Sequence, residues 1–419
     1  MTAGSISVDE AAVLDLIDPQ ELRDIAVELV QSAGENPPGL EAASAATLAR
    51  ICRERGFEVS TTEVERDRPN VSATLEGGSG PALLLLGHTD VVPVGNGWTV
   101  PAFGGQIHQG RLTGRGSADM KGGLAACVVA MAALARSGIR LAGPVELLAA
   151  VDEEETGKGI RHYVQSLGPS AARRFVGCIV AEPTELQTII AARGDAYVEV
   201  TVTGRAAHSG NPGDGRNAIQ GAARVIAEIE QMHSELSVVR HPLVGPATWS
   251  VGQVHGGTGT STVPAECVVT ADRRLLPAEA GPDVLTDFTE RLEQLQLDKR
   301  GLGVSARMTM DMPGFETAPA HELVTTSSRA VLDAGGPDLP LAGWTAACDG
   351  GFLARDVALP VIVLGPGSVA HQAHRANESV ALDELLVAAR TYALCALRLV
   401  GRQPTSAPLD DRARPSAVE

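Results

Sequence analysis

The chain has 419 residues, 44% of them hydrophobic, with 51 acidic against 34 basic residues and a formal net charge of −17 at pH 7. That length supports two or three cores of a water-soluble globular protein. The acidic balance leaves no basic stripe to neutralise phosphates, which excludes a nucleic-acid partner. No apolar run approaches the roughly 18 residues that cross a membrane, and no basic-then-apolar leader opens the chain. Six scattered cysteines (Cys52, Cys127, Cys178, Cys267, Cys348 and Cys395) lack C-x-x-C spacing, so free thiols in the cytoplasm are expected.

Residues 1–17 read as a loose arm. Asp18-Pro19 then supplies an N-cap and a first-turn proline, and Leu22, Ile25, Ala26, Leu29 and Val30 follow at helical spacing. A second helix is predicted over 41–55. Strands near 58–64, 71–76 and 82–86, a helix over 120–137, a strand over 144–151, a short helix near 158–167 and a strand over 177–181 give the β-α-β-α rhythm of a layered sheet. Near residue 190 the pattern changes. Ala196 to Val202 alternates as a half-exposed antiparallel strand does. A helix over 217–232, strands over 248–254 and 266–273 and a helix over 281–297 complete a ferredoxin-like outline. The α/β style returns with a helix over 321–333, a strand over 361–364 and a helix over 381–399. The predicted fold class is α/β, with one α/β domain interrupted by an inserted α+β domain. Gly401 to Glu419, rich in Pro, Ala, Arg and Asp, reads as a disordered tail.

Four apolar runs end in ionisable residues. Leu83 to Leu86 leads to His88 and Asp90; Val145 to Val151 leads to Asp152-Glu153-Glu154-Glu155; Cys178 to Ala181 delivers Glu182; Val361 to Leu364 leads to His371 and His374. Strands ending this way describe one crevice at the carboxyl edge of a sheet. Carboxylates that converge there repel one another unless a cation stands between them, which points to a divalent metal. If His88 binds it through one nitrogen, the carboxylate of Asp90 is placed to fix the other. Neighbouring acids in the run can split roles between ligand and general base. Each signal has a plainer alternative. An isolated H-x-D suits a turn histidine, Asp119 suits an N-cap for the helix after it, and acid runs are commonly solvated.

Together the motifs resemble the metal-dependent M20 amidohydrolases and peptidases, the group of acetylornithine deacetylase, succinyl-diaminopimelate desuccinylase, aminoacylase-1 and the glutamate-releasing carboxypeptidases. The resemblance spans roughly residues 20–400. It rests on GHTDVVP at 87–93, GRLTGRGSADMKGG at 110–123, DEEETGKG at 152–159, AEPT at 181–184 and AHRANESV at 373–380. It implies a zinc-peptidase-like α/β/α sandwich (1–191 and 309–400) with a ferredoxin-like lid and dimerisation domain (192–308) and the tail at 401–419. It also implies two zinc ions, with cobalt or manganese as alternatives. Asp119 would bridge them, His88 and Glu182 completing one site and Glu154 and His374 the other.

By the same resemblance Glu153 is the general base and Asp90 orients His88. Shifting the acid register to Glu154 and Glu155, or replacing His374 by His371, remains open. His208 would act on the opposite subunit's active site, and Arg274 would grip a substrate carboxylate. Ser261 and Gly351 lie where substrate recognition is expected. Two positions depart from the pattern, Ser261 for the usual Asn and Cys348 for Ser or Thr. The implied reaction is hydrolysis of the amide of an N-acyl amino acid by a homodimer, with a dipeptidase or carboxypeptidase acting on a short peptide as the second reading and a non-catalytic or amide-forming member of the fold as the third. Glu182, where family aminopeptidases and dipeptidases tend to carry Asp, leans towards the deacylase and carboxypeptidase side.

Overall fold

The computed structural model describes residues 6–168 and 171–401. Beyond Gly401, the expected tail lies outside the described residues.

The sheet that positions the site has nine strands. In spatial order they are Glu58–Glu65, Arg68–Leu75, Val145–Ala150, Ala82–His88, Phe175–Val180, Val361–Val363, Ile189–Ala192 and Phe315–Glu316, with Ala342–Trp344 also paired to Ile189–Ala192. Its centre is parallel: Ala82–His88 lies between Val145–Ala150 and Phe175–Val180, and Val361–Val363 runs parallel to the latter. Every residue of Ala82–His88 is buried. Leu83 and Leu85 face one core, and Leu84 and Leu86 the other. A run of four leucines is what a strand covered on both faces requires. The helices Pro19–Gln31, Lys121–Ser137 and Leu382–Leu399 pack into the first core, and Gly350–Val357 into the second.

A separate antiparallel sheet has the order Thr248–Gly256, Glu266–Leu275, Gly194–Thr203, Gly303–Met312. With the helices Ala218–Leu236 and Gly281–Gln294, the chain order is β-α-β-β-α-β. Val198, Val200 and Val202 point to a core that includes Val225, Ile229 and Phe288. The final strand is absent from the sequence reading. Val304, Ala306, Met308, Met310 and Met312 do alternate, but Ala and Met are weak strand formers.

One correction concerns the N-terminus. Val8–Asp15 is a helix closed by a capping box, Ser7 and Glu10 each accepting from the other's backbone N–H. Val13 anchors it in the first core. A single turn of apolar spacing is too short a signal, although the S-x-x-E pattern was readable. Among the described residues no helix is long and apolar enough to cross a membrane.

The chain passes between the two sheets twice, at Gly194 and at Gly314. A Cβ on Gly314 would stand 2.8 Å from both the Ala192 carbonyl oxygen and the Gly194 nitrogen. The crossings touch backbone to backbone, which only glycine allows. Gly314→Ala is expected to cost about 1–3 kcal/mol by overpacking. An unchanged urea midpoint would show that the crossing can spread at no cost.

Candidate active site

His88 closes its strand with its side chain 1% exposed. Its Nδ1 lies 3.0 Å from the backbone oxygen of Asp90 and 3.5 Å from the Asp90 carboxylate. Its Nε2 is 3.3 Å from Asp119 Oδ1, 3.3 Å from Glu182 Oε1 and 4.0 Å from Glu153 Oε2. The second oxygen of Asp119 lies 3.4 Å from His374 Nε2, which is 3.0 Å from Glu154 Oε2. Asp119 thus offers one oxygen to each histidine. It does not cap the helix that begins at Lys121, whose N-cap position is Met120 with no side-chain capping bond.

The donor set fits divalent cations. His88 Nε2 and Glu154 Oε1 are buried without a hydrogen-bond partner. Ligand atoms of His88, Glu153 and Glu182, and those of His88, Asp119 and Glu154, lie within 4.8 Å of one another. Nitrogen and carboxylate oxygen without sulfur suit zinc, cobalt or manganese. The protonation pattern agrees. Burial, with the charges of Glu182, Asp349 and Glu154, pushes the Glu153 carboxyl well up, against the pull of His88. Burial and Asp119 push Glu182 to about 7. Contacts with Asp119 and Glu154 raise His374 to about 10. Cation uptake at such a cluster must therefore release protons.

The register of the acid run is set by hydrogen bonds. Asp152, at φ 66°, turns away from the cluster. Its carboxylate accepts from Asn36 Nδ2 (3.1 Å), Arg68 Nη2 (2.7 Å) and the Thr156 hydroxyl. The Asp90 carboxylate accepts from Asn36 Nδ2 (3.0 Å) and from the backbone N–H groups of Glu153 (3.3 Å) and Glu154 (3.1 Å). Glu153 and Glu154 therefore enter the cluster while Glu155 is exposed. The Asp90 carbonyl lies closer to the His88 ring than its carboxylate does, and that carboxylate accepts from the acid turn.

The other expected residues stand elsewhere. His208 is exposed, its Nδ1 accepting from Gly210 N (3.0 Å). Ser261 is exposed and its carbonyl accepts from Ser209 N (2.9 Å). Arg274, on the four-stranded sheet, is paired with Asp195 (3.1 Å) and Asp272 (3.0 Å). Gly351 is buried, where a Cβ would meet the Pro313 carbonyl at 1.8 Å. His371 is exposed. Sequence reasoning missed Asn36, Arg68 and Asp349. Asp349 is 2% exposed and neither carboxylate oxygen has a hydrogen-bond partner. Its only sequence signal, an acid before Gly-Gly at a helix start, reads as a cap, yet it makes no capping bond.

The sequence profile of peptidase family M20/M25/M40 matches residues 84–398. Acetylornithine deacetylase from Salmonella arizonae is 32% identical over 339 residues, covering 79% of this chain and 84% of its own length. Succinyl-diaminopimelate desuccinylase from Alkalilimnicola ehrlichii is 31% identical over 392 residues, covering 91% of this chain and 100% of its own. Among solved structures, aminopeptidase PepT from Bacillus cereus superposes with a TM-score of 0.73 at 22% identity, over 92% of this chain and 99% of that one.

Arg68 is the buried cation behind the acid turn, shared by Asp152 and by Glu41, itself 0% exposed. Arg68→Met strands two buried carboxylates and is expected to cost about 3–5 kcal/mol. A loss below 1 kcal/mol in denaturant unfolding, taken here as roughly the worth of a surface pair, would mean that the network does not hold the turn.

Proposed function

Because the chain belongs to peptidase family M20/M25/M40, we propose that this metallohydrolase cleaves the amide of an N-acyl amino acid, of the deacetylase or desuccinylase type, giving a carboxylate and a free amino acid. The carrying observation is Asp119, with one oxygen at each of two histidines. The two curated relatives at 31–32% identity, both named for removing an acyl group, support the reaction class.

His88, Asp119 and Glu182 would hold one ion and Asp119, Glu154 and His374 the other. Zinc is the first choice, with cobalt or manganese as substitutes. Two bound cations would bring the pKa of a water molecule towards neutrality and polarise the amide carbonyl. Glu153, at the edge of the cluster, takes the water's proton and delivers it to the departing nitrogen. His208 of the partner subunit donates to the developing oxyanion. Arg274 exchanges part of its pairing with Asp195 and Asp272 for the substrate carboxylate, a bidentate task. Ser261 and Gly351 border the substrate. Residues 192–308 form the lid through which two copies pair. The six buried free cysteines accord with a reducing cytoplasm.

The deciding experiment screens zinc- and cobalt-loaded protein against acetyl, succinyl, formyl and carbamoyl amino acids and against dipeptides, with mass detection of products. Turnover of dipeptides alone would assign the chain to peptide cleavage.

Glu153→Gln is expected to keep its metal and lose at least a hundredfold in turnover, roughly the worth of a positioned acid–base group. Activity within tenfold of wild type would make Glu154 the base. His88→Ala and His374→Ala should each lose about one ion, as each belongs to one site only. Full occupancy in His374→Ala would point to His371.

Mixed dimers test His208. Subunits carrying His208→Ala and Glu153→Gln, inactive apart, should regain about a quarter of wild-type activity after random exchange, since half the dimers then contain one complete site. No recovery after verified exchange would place His208 in its own subunit's chemistry or outside it.

A further inference from the structure

The loops bearing Asp119 and His374 lie far apart in sequence, yet one buried carboxylate joins them. Glu378 is 1% exposed. Its Oε1 accepts from the backbone N–H of Ala118 (2.9 Å) and of Asp119 itself (3.0 Å). Its Oε2 accepts from Gly116 N (3.1 Å) and Arg115 Nη1 (2.7 Å). Its carbonyl takes the N–H of Gly114 (2.9 Å) and the Ser117 hydroxyl (3.2 Å). Arg115 in turn donates to the carbonyl of Arg375, next to His374 (3.3 Å).

Successive N–H groups turned to one point make an anion cradle, and here the chain fills it with its own carboxylate. We propose that Glu378 is a positioning residue for the dinuclear site: it fixes the backbone of Asp119 and, four residues along from His374, fixes that histidine's loop against it. The inference rests on the reading that the cluster takes two cations.

The geometry makes this more than a core ion pair. Arg115 alone would satisfy one oxygen of Glu378. The other is spent wholly on the two N–H groups at Asp119 and its neighbour, so the placement of the bridging oxygens depends on it. An amide at 378 has one acceptor oxygen. It can serve Arg115 or the Asp119 loop, and its NH2 group then faces donors at the other end.

The test titrates full-length, metal-free protein with cobalt(II), read by its visible absorption bands. Wild type is compared with Glu378→Gln and with a control, Asp333→Asn. The control breaks a part-buried pairing with Arg329 and Arg398, which lie on two helices that carry none of the cluster residues. Wild type is expected to take two ions. Glu378→Gln should bind them ten- to a hundredfold more weakly, the usual cost of losing a group that orients a ligand, with altered bands. Asp333→Asn should keep wild-type affinity even with a lower Tm. Wild-type affinity and bands in Glu378→Gln, whatever its Tm, overturn the proposal. Wild type that takes fewer than two ions overturns the dinuclear reading itself, a separate result. If Glu378→Gln does not fold, Glu378→Asp replaces it. That variant keeps the charge one methylene short and should weaken binding in the same direction; unchanged affinity there overturns the proposal equally.

Discussion

The structure is organised around a repulsion. Asp119, Glu153, Glu154 and Glu182 converge with two imidazoles at the carboxyl edge of the buried parallel strands at the centre of the nine-stranded sheet. Left alone, buried carboxylates this close favour taking up protons, and burial with the neighbouring acids pushes Glu153 and Glu182 up. A chain can keep these groups together only if the backbone that carries them is held by hydrogen bonds from behind. Behind Asp119 stand backbone N–H groups and Glu378, whose charge Arg115 offsets. Behind the acid turn stand Asp90, Asn36 and Arg68. Asp119 and the acid turn thus lean on carboxylates, Glu378 and Asp90, that are themselves hydrogen-bonded.

The sheet explains why the groups meet. Ala82–His88 is flanked by parallel strands that end beside it, so His88, the acid turn and Glu182 emerge at one height. Val361–Val363 adds the loop to His374 from the neighbouring position. At His374 the chain takes φ 61°, a region unfavourable for a side chain with a Cβ. The hydrogen bonds of the Glu378 segment lie four residues on and hold that loop in place. Local strain at such a position persists where the surroundings over-determine it.

How much was legible in the sequence follows from range. His88, Asp152 to Glu154 and Glu182 stand out because a strand's apolar run and its polar terminus are adjacent in the chain, so a reader meets cause and effect together. Asn36 does not stand out. Its partners Asp90 and Asp152 lie 54 and 116 residues away, and nothing near Asn36 announces them. Glu378 reaches Asp119 across 259 residues. The short helix Val8–Asp15 and the strand Gly303–Met312 were lost for a different reason. Their local signals are weak, and tertiary packing fixes them: Val13 in the main core, and a ladder against Gly194–Thr203 that shifts register between Met308 and Met310.

The same division runs through the proposed chemistry. Groups assigned to metal and proton handling sit on or beside the nine-stranded sheet and are held by buried partners. His208, Ser261 and Arg274, assigned to substrate, sit on the four-stranded sheet and its loops, and the two histidine and serine positions are exposed. Arg274 is the instructive member. Its guanidinium is already occupied by Asp195 and Asp272, so an incoming carboxylate gains only the difference between two pairings. A planar guanidinium fork favours ligands that can match its bidentate geometry. The two sheets meet at the glycine crossing of Gly194 and Gly314, and the 240–246 hairpin adds further contacts, Arg193 donating to the Val244 carbonyl and His241 facing Glu316. Under the proposed reading the metal and proton chemistry rests on one sheet and most substrate-facing groups on the other, Gly351 excepted, so the site and not the fold alone carries the function.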